Sequence, residues 1–544
     1  MSAVVTDQFR IFNAGNFVDS VLDTNNSYYV FLGLSNPTLL SADGSPSDNP
    51  GFGRTDTWNS ASGPPNPTDN FQYESQYGDT SLFGKRIVSN NIRRVVRKVE
   101  WTENTYYDMY RHDYSISNKA PNSQTGRLYD ANYFVVNSDY NVYICIENGS
   151  SGAPGSTSAK GNKSKDEPTF TDLEPSAAGT SNDGFIWKFL FSISPSDIVK
   201  FDSTEYIVVP NDWATSTDSQ IQNVRESADS DINQNQLKTV YIENGGSGYL
   251  NDTKTLPILG DGSGGKVSIT TVGGVVTSAV VTAGGSGYSY GMVDLGPLQP
   301  SEFPVGSTTV YPAKLIPIIP PSRGHGYDIY KELGADRVLV YARFDDSTKD
   351  FPTDTKFAQV GIVKNPTTYT NNNTIFTGSQ YSSVGALKLD PSTFDSTDLV
   401  IGSKITQVQT TGNAKAYVSS YDKQTGVLKY YQDRSLYYQN NANHNNQIDY
   451  IGVSSESKVL GFESTTSSIA FEGSTPSDTN ISIAFTGRTV TDGDKEIDLG
   501  VYFASGLANP EINKTTGDVI YIDNRKEVTR DSRQKEDIKI ILEF

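Results

Sequence analysis

Few residues in this chain of 544 have the types and spacing that catalysis or metal binding requires. The three histidines, His112, His325 and His444, lie far apart, and Cys145 is the single cysteine. A zinc site built from these residues would need distant segments to converge, because it takes several such ligands at once. The HExxH, GxSxG, Walker A and CxxC patterns are absent from the sequence. We therefore predict no catalytic residue, no metal site and no cofactor.

One glycine-rich stretch does match a cofactor pattern. Gly260, Gly262 and Gly265 satisfy GxGxxG, but residues 266–271, KVSITT, have the pattern of a strand. A dinucleotide site needs a helix at that point, because the amides at the helix N-terminus hold the pyrophosphate. We therefore exclude a dinucleotide site. Acidic pairs such as Asp345 with Asp346 are interpreted as solvated loops, and His325, between two glycines, as a turn residue.

A basic cluster is the one candidate for a functional surface. Apolar residues recur at i, i+3, i+4 and i+7 over residues 92–99, which predicts a short helix near residues 91–98. The basic residues on its other face are Arg93, Arg94, Arg97 and Lys98. Such a cluster is either a solvated face or an ion-paired interface with an acidic protein, since arginine forms bidentate pairs with carboxylates.

Charge and hydropathy restrict the classes of partner. The formal net charge of -19 opposes binding to nucleic acid or to anionic lipid. No apolar run is long enough to span a membrane, and the N-terminus lacks a basic region followed by an apolar one. Cys145, within the apolar residues 143–146, is predicted to be a buried strand thiol, which suits a reducing compartment. We expect a protein that works where it is made or in a particle assembled there.

The elements that position these residues are predicted to be strands. Aromatic and β-branched residues with frequent Gly, Pro and Asn favour strands and turns. Apolar and polar residues alternate from Thr6 to Leu34, residues 28–34 predict a buried strand, and residues 184–191 predict a further strand. The fold class is therefore all-β and mainly antiparallel: a multi-domain β-sandwich core with inserted small β-domains and few short helices. The predicted helix at 91–98 is the main exception.

An internal repeat marks one inserted module. The string VYIENGGSGY at 240–249 returns as AVVTAGGSGY at 279–288, and residues 323–327, RGHGY, echo its end. A strand that ends in a Gly-rich turn and a Tyr predicts a hairpin unit, and hence a small two-repeat β-module.

Several strings resemble a known family. They are DGFIWKFLF at 183–191, TEYIVVP at 204–210, RVLVYAR at 337–343, FAQVGIVKNP at 357–366, GDVIYIDNR at 517–525 and EDIKIILEF at 536–544. A looser likeness lies in the Pro-rich loop around residues 63–67 and in residues 93–101. Together these segments resemble the baseplate wedge subunits of T-even-like contractile-tailed phages, in the long cyanophage-type form. The likeness covers roughly residues 1–220, 315–370 and 505–544.

The resemblance implies a structural, non-enzymatic protein of the virion's tail baseplate, assembled in the host cytoplasm. Its partners would be itself, as a homodimer, and other baseplate wedge proteins, with no nucleic acid, membrane or small-molecule substrate. Residues 1–224, 313–370 and 501–544 would form a composite core of two β-domains. Residues 225–312 would be a Gly-rich repeat insertion, and residues 371–500 a small barrel or sandwich insertion. The alternative from another class is a tail-associated glycan-binding or depolymerising protein, which would show exposed aromatic platforms and a carboxylate pair in a cleft.

Overall fold

The computed structural model describes residues 6–34, 77–78, 80–150, 157–229, 236–299, 311–345, 351, 355–390, 401–410, 412–432, 438–441, 447–450, 461–471, 478–531 and 534–544. Within these residues the chain is mostly antiparallel β-sheet with short helices, so the predicted fold class is confirmed. His444, Asp346 and the Pro-rich residues 63–67 lie outside the described residues.

The strands are β1 Tyr28–Gly33, β2 Ser81–Arg86, β3 Ile92–Arg97, β4 Phe134–Val136, β5 Asn141–Asn148, β6 Phe185–Ser192, β7 Tyr206–Val209, β8 Val240–Asn244, β9 Thr253–Gly260, β10 Ser263–Val272, β11 Val275–Ser286, β12 Gly291–Val293, β13 Lys314–Pro317, β14 Arg337–Phe344, β15 Lys356–Lys364, β16 Thr367–Thr368, β17 Asn371–Ile375, β18 Gln380–Ser382, β19 Gly385–Lys388, β20 Lys404–Gln409, β21 Gly412–Asp422, β22 Val427–Tyr431, β23 Tyr438–Asn441, β24 Gln447–Tyr450, β25 Ser468–Phe471, β26 Asp478–Asn480, β27 Gly487–Asp492, β28 Lys495–Phe503, β29 Leu507–Ala508, β30 Ile512–Asn513, β31 Asp518–Thr529 and β32 Glu536–Glu543. The α-helices include α1 Asp7–Leu22, α2 Pro195–Phe201, α3 Ser219–Asp229 and α4 Ile329–Leu333.

The chain divides into two units. The first unit comprises Met1–Val18, Arg93–Leu339 and Ile540–Phe544, and the second comprises Asp19–Ile92 and Val340–Lys539. Each unit is discontinuous in sequence, so both units are assembled from distant parts of the chain.

Aromatic strands build part of the core of the first unit. Strand β6 lies beside β5, which also pairs with β4, in a three-stranded antiparallel sheet. The rings of Phe185 and Trp187 stack at 5.3 Å, and both side chains are fully buried. Cys145 on β5 is buried, and burial raises the pKa of its thiol well above the usual value, as expected for a strand thiol. The predicted strand at 184–191 is thus confirmed.

The predicted helix at residues 91–98 is wrong. Residues Ser89–Asn91 form a single 3-10 turn, and Ile92–Arg97 is strand β3. Val95 and Val96 pair with Val208 and Ile207 of the antiparallel strand β7. The apolar spacing fitted a helix, but the β-branched valines favour an extended backbone, and the neighbouring strand completes the hydrogen bonds.

The N-terminal segment begins with a helix, although its sequence alternates between apolar and polar residues. Residues Asp7–Leu22 form α1, and its buried side chains are Ile11, Ala14, Val18 and Val21. Their spacing follows the helical period, whereas Phe9 and Phe12 are exposed. The strand predicted to follow it is confirmed as β1, in which all six residues are buried.

The repeat module has its own apolar core. Strand β8 pairs with β13, and β11, β10, β9 and β12 form a four-stranded sheet in that order. Tyr249 and Tyr288, at equivalent positions of the repeat, both lie in this core. The equivalent glycines Gly246 and Gly285 have φ values of +64° and +61°. Gly324 also has a positive φ, of +100°, in the RGHGY stretch. A glycine with a positive φ thus occurs at the equivalent position of all three stretches.

The second unit contains the two largest sheets. Its five-stranded sheet has the order β18, β2, β1, β15 and β31, and its seven-stranded sheet the order β26, β25, β20, β21, β22, β19 and β29. A cluster that includes Ile405, Val418, Leu428 and Ile469 forms the core of the larger sheet.

Candidate functional site

The four predicted basic residues lie on or directly after strand β3, within the first unit. Each has contacts within the chain, and they do not form one solvated face. The Nη2 of Arg93 lies 3.0 Å from Asp197 Oδ1, and both side chains are only 16% exposed. The guanidinium of Arg94 lies 3.8 Å above the ring centroid of Tyr330.

Lys98 also has its contacts within the chain. Its Nζ lies 2.9 Å from Glu100 Oε1 and 3.1 Å from Asp202 Oδ1, and its side chain is 10% exposed. Burial alone would lower the pKa of Lys98, but the two carboxylates raise it overall. Lys98 is therefore a paired cation at the strand end.

Arg97 differs from Lys98 in its partners. Its Nη1 donates to Asn132 Oδ1 at 2.8 Å and its Nη2 donates to Ala131 O at 3.0 Å. Both acceptors are neutral, and among the described residues no carboxylate lies within ion-pair distance of Arg97. Burial lowers the pKa of Arg97, and this effect outweighs the opposing charges of Asp130 and Asp108.

Arg97 and Lys98 line a cleft of about 400 Å³ in the first unit. The other lining residues are Arg127, Tyr129, Asp130, Thr204, Glu205, Tyr206, Leu333, Gly334, Asp336 and Arg337. Four cations and three carboxylates thus face one space in a chain that is strongly acidic overall. Arg93 and Arg94 do not line it.

Asp336 forms the anionic centre of the cleft. Its side chain is 3% exposed, and Arg127 Nη2 lies 3.2 Å from one of its oxygens while Arg337 Nη1 lies 3.4 Å from the other. Arg127 also contacts Asp7 at 2.8 Å, and Arg337 contacts Glu543 at 3.0 Å. The carboxylate contacts raise the pKa of Arg127 overall, against the lowering effect of burial.

The remaining carboxylates lie at the rim. Asp130 and Glu205 are exposed, whereas Arg97, Arg127 and Arg337 are partly buried. The cleft therefore has basic groups below an acidic rim. Sequence reasoning missed Arg127 and Arg337, and no sequence signal connects them with Arg97, because folding alone brings these distant segments together.

Neither of the two described histidines, His112 and His325, belongs to a group of metal ligands. His325 is buried, and its Nδ1 lies 2.6 Å from Glu332 Oε1, so it is a hydrogen-bond partner of Glu332 within the core. His112 Nδ1 accepts a hydrogen bond from the Ile319 amide at 3.1 Å, and burial lowers its pKa. Within the described ranges, no group of three or more His, Cys, Asp or Glu side chains is arranged to hold a metal ion.

Helices of the described segments are all too short or too polar to cross a bilayer.

Comparison with known proteins gives one partial similarity. No protein-family model matches the chain. The chain is 24% identical over 232 residues to the baseplate wedge protein gp8 of Enterobacteria phage T4. The aligned region covers 38% of this chain and 60% of that protein. The chain thus spans less than two thirds of its relative's length, and the similarity is a distant relationship to a structural protein of a phage baseplate.

Proposed function

We propose that this protein is a structural subunit of a contractile phage tail, in the long form of a baseplate wedge protein. It joins neighbouring wedge subunits during tail assembly and transmits their rearrangement on infection. The observation that carries this proposal is the similarity to the phage T4 baseplate wedge protein. The β-sheet architecture supports it, since the strings that resemble the family form strands β6, β7, β14, β15, β31 and β32.

The protein acts in this proposal by association, without substrate turnover. It forms a homodimer and contacts other wedge proteins, and it is assembled into the baseplate in the host cytoplasm. Permanent interfaces of this kind bury on the order of 2,000 Å² or more, which single charged residues cannot supply alone. Arg93, Arg94, Arg97 and Lys98 are the candidate interface residues, and Arg97 suits the role best because its contacts within the chain are to neutral oxygens.

The proposal includes a composite core with two insertions. Residues 1–224, 313–370 and 501–544 form the core, and residues 225–312 and 371–500 are inserted β-modules. Separate apolar clusters support this division. The buried residues of one cluster run from Leu237 to Leu298, within the first insertion, and those of another from Leu387 to Ile481, within the second.

Labelling of intact virions with antibodies against the protein tests its location. We expect the label at the baseplate end of the tail, and label confined to the capsid would contradict the proposal. The mass of the purified protein in solution tests the dimer, for which we expect twice the chain mass of 59.3 kDa. Release of reducing ends from host polysaccharide by the pure protein would instead favour the depolymerising alternative.

A further inference from the structure

Arg97 is a partly buried cation whose charge no carboxylate of the described residues contacts. Within the part of the chain that the structure describes, two of its five N–H donors have partners, and both partners are neutral oxygens. Taking a charge out of water is costly unless an opposite charge or strong hydrogen bonds compensate for it. The other three cations of the cleft, Lys98, Arg127 and Arg337, all have carboxylate partners. Arg97 is therefore the incompletely neutralised group of the cleft.

We propose that the cleft around Arg97 receives a glutamate or aspartate side chain from an extended segment of a neighbouring protein. This inference rests on the proposed structural role and identifies the chemistry of one partner contact. A guanidinium with free N–H groups matches the two oxygens of a carboxylate, and the resulting hydrogen bonds are about twice as strong as neutral ones. Arg97 would then gain the charge partner that the described residues do not provide.

The size and walls of the cleft suit a peptide segment. Its volume of about 400 Å³ accommodates a few side chains. The guanidinium of Arg337 lies 5.6 Å from the ring centroid of Tyr206, and that of Arg127 lies 5.7 Å from the ring centroid of Tyr129. These Tyr rings give the cleft aromatic surface beside its charges, which favours an amphipathic segment over a small free ion.

The acidic rim selects the kind of anion. Asp130 and Glu205 are exposed at the entrance, and Asp336 lies among the cations. These carboxylates repel a polyanion or a doubly charged phosphate more strongly than they repel one carboxylate carried on a neutral segment. The arrangement therefore fits a sparsely charged peptide and disfavours nucleic acid.

Fluorescence anisotropy of the full chain with a labelled, end-blocked pentapeptide that contains one glutamate tests the inference. The control peptide carries glutamine at the same position. We expect the glutamate peptide to bind more tightly and R97Q to weaken its binding about tenfold, the loss expected for one hydrogen bond to a charged group. R97K should retain part of the affinity, since it keeps the charge but loses the planar fork.

Two further variants separate binding from folding. D130N removes a rim carboxylate, so it should strengthen peptide binding, an effect that a purely structural role would not produce. R488Q is the matched control, because Arg488 is 53% exposed in the second unit. The thermal midpoint of R97Q should equal or exceed that of the unmodified protein, because the substitution removes an uncompensated charge.

Equal binding of the two peptides, unchanged affinity in R97Q, or tighter competition by inorganic phosphate than by acetate would overturn the inference. A dimer that R97Q alone converts to monomer would also overturn it, because the occupant would then be a second copy of this chain. These outcomes are distinct from failure of the proposed function. Absence of the protein from the baseplate would contradict the proposed function, but it would not change the binding of the glutamate peptide to the purified chain.

Discussion

The imidazole of His325 and the carboxylate of Glu332 form a buried hydrogen-bonded contact, with Nδ1 and Oε1 2.6 Å apart and side-chain exposures of 4% and 0%. The other carboxylate oxygen, Oε2, accepts a hydrogen bond from the Gly326 amide at 2.7 Å. The edge of the Tyr110 ring contacts the imidazole, with the ring centroids 4.8 Å apart. One carboxylate of α4 thus fixes both a histidine and a positive-φ glycine of the RGHGY turn.

Removing that carboxylate should destabilise the first unit. We expect E332A to lower the free energy of unfolding by about 3 kcal/mol, because it leaves His325 and the Gly326 amide buried without their partner. Urea unfolding followed by fluorescence measures the change. E496A, at an exposed glutamate, is the control and should change stability by less than about 0.5 kcal/mol. Equal effects of the two substitutions would contradict the role of Glu332.

Lys188 should give the protein a pH-dependent stability in the alkaline range. Its Nζ donates to Leu173 O at 2.6 Å, and burial lowers its pKa from 10.5 to about 8, although Glu332 opposes the shift. Between these two pH values the unfolded chain binds the proton and the folded chain releases it. The contribution of Lys188 to stability therefore rises as pH increases from about 8 to 10.5.

Comparison with K188M isolates that contribution, because raised tyrosine pKa values such as that of Tyr110 act in the opposite direction above pH 10. The difference in unfolding free energy between the unmodified protein and K188M should shift in favour of the unmodified protein as pH rises. A difference that stays constant across this range would show that Lys188 does not release its proton there.

Gly285 should tolerate alanine less well than Gly273 does, although the two have nearly the same φ, +61° and +63°. A Cβ at Gly285 would lie 2.3 Å from Ser263 O and 2.5 Å from Gly265 N, whereas none of the described atoms lies within 4 Å of one at Gly273. We expect G273A to cost about 1 kcal/mol from the left-handed backbone alone. G285A should cost more, because backbone atoms must also move, and thermal unfolding of the two variants measures the difference. Equal losses of stability in the two variants would show that the backbone of β10 moves away from the added Cβ without a cost in free energy.

Charge exchange at Arg93 and Asp197 should reveal an ion pair within the chain. R93E replaces the cation that faces Asp197 with a carboxylate, where both side chains are largely buried, so we expect a loss of about 2 kcal/mol. The double variant R93E/D197R should recover part of that loss, and a double-mutant cycle in urea measures the recovery. Independent, additive effects would show that the contact contributes no coupling energy.

Local sequence chemistry determined several strands of this protein. Residues 28–34 and 184–191 predicted strands that the structure contains as β1 and β6, because runs of aromatic and β-branched residues suit a buried pleated sheet. The turn at Gly285 followed from the repeat, since only glycine adopts positive φ without strain. The helical period of Ile11, Ala14 and Val18 is also present in the sequence and is the local signal for α1.

Tertiary structure decided the rest. Residues 92–97 satisfied the spacing of a helix and became a strand, because β7 offered hydrogen bonds that no local pattern reveals. Because residues 92–97 form strand β3, Arg97 lies beside Arg127 and Arg337. These two residues come from distant segments and line the same cleft as Asp336. Which cation acquires a carboxylate partner depends on distances of a few ångströms between such segments. Local residue types set the backbone preferences, and only the packed fold sets those distances.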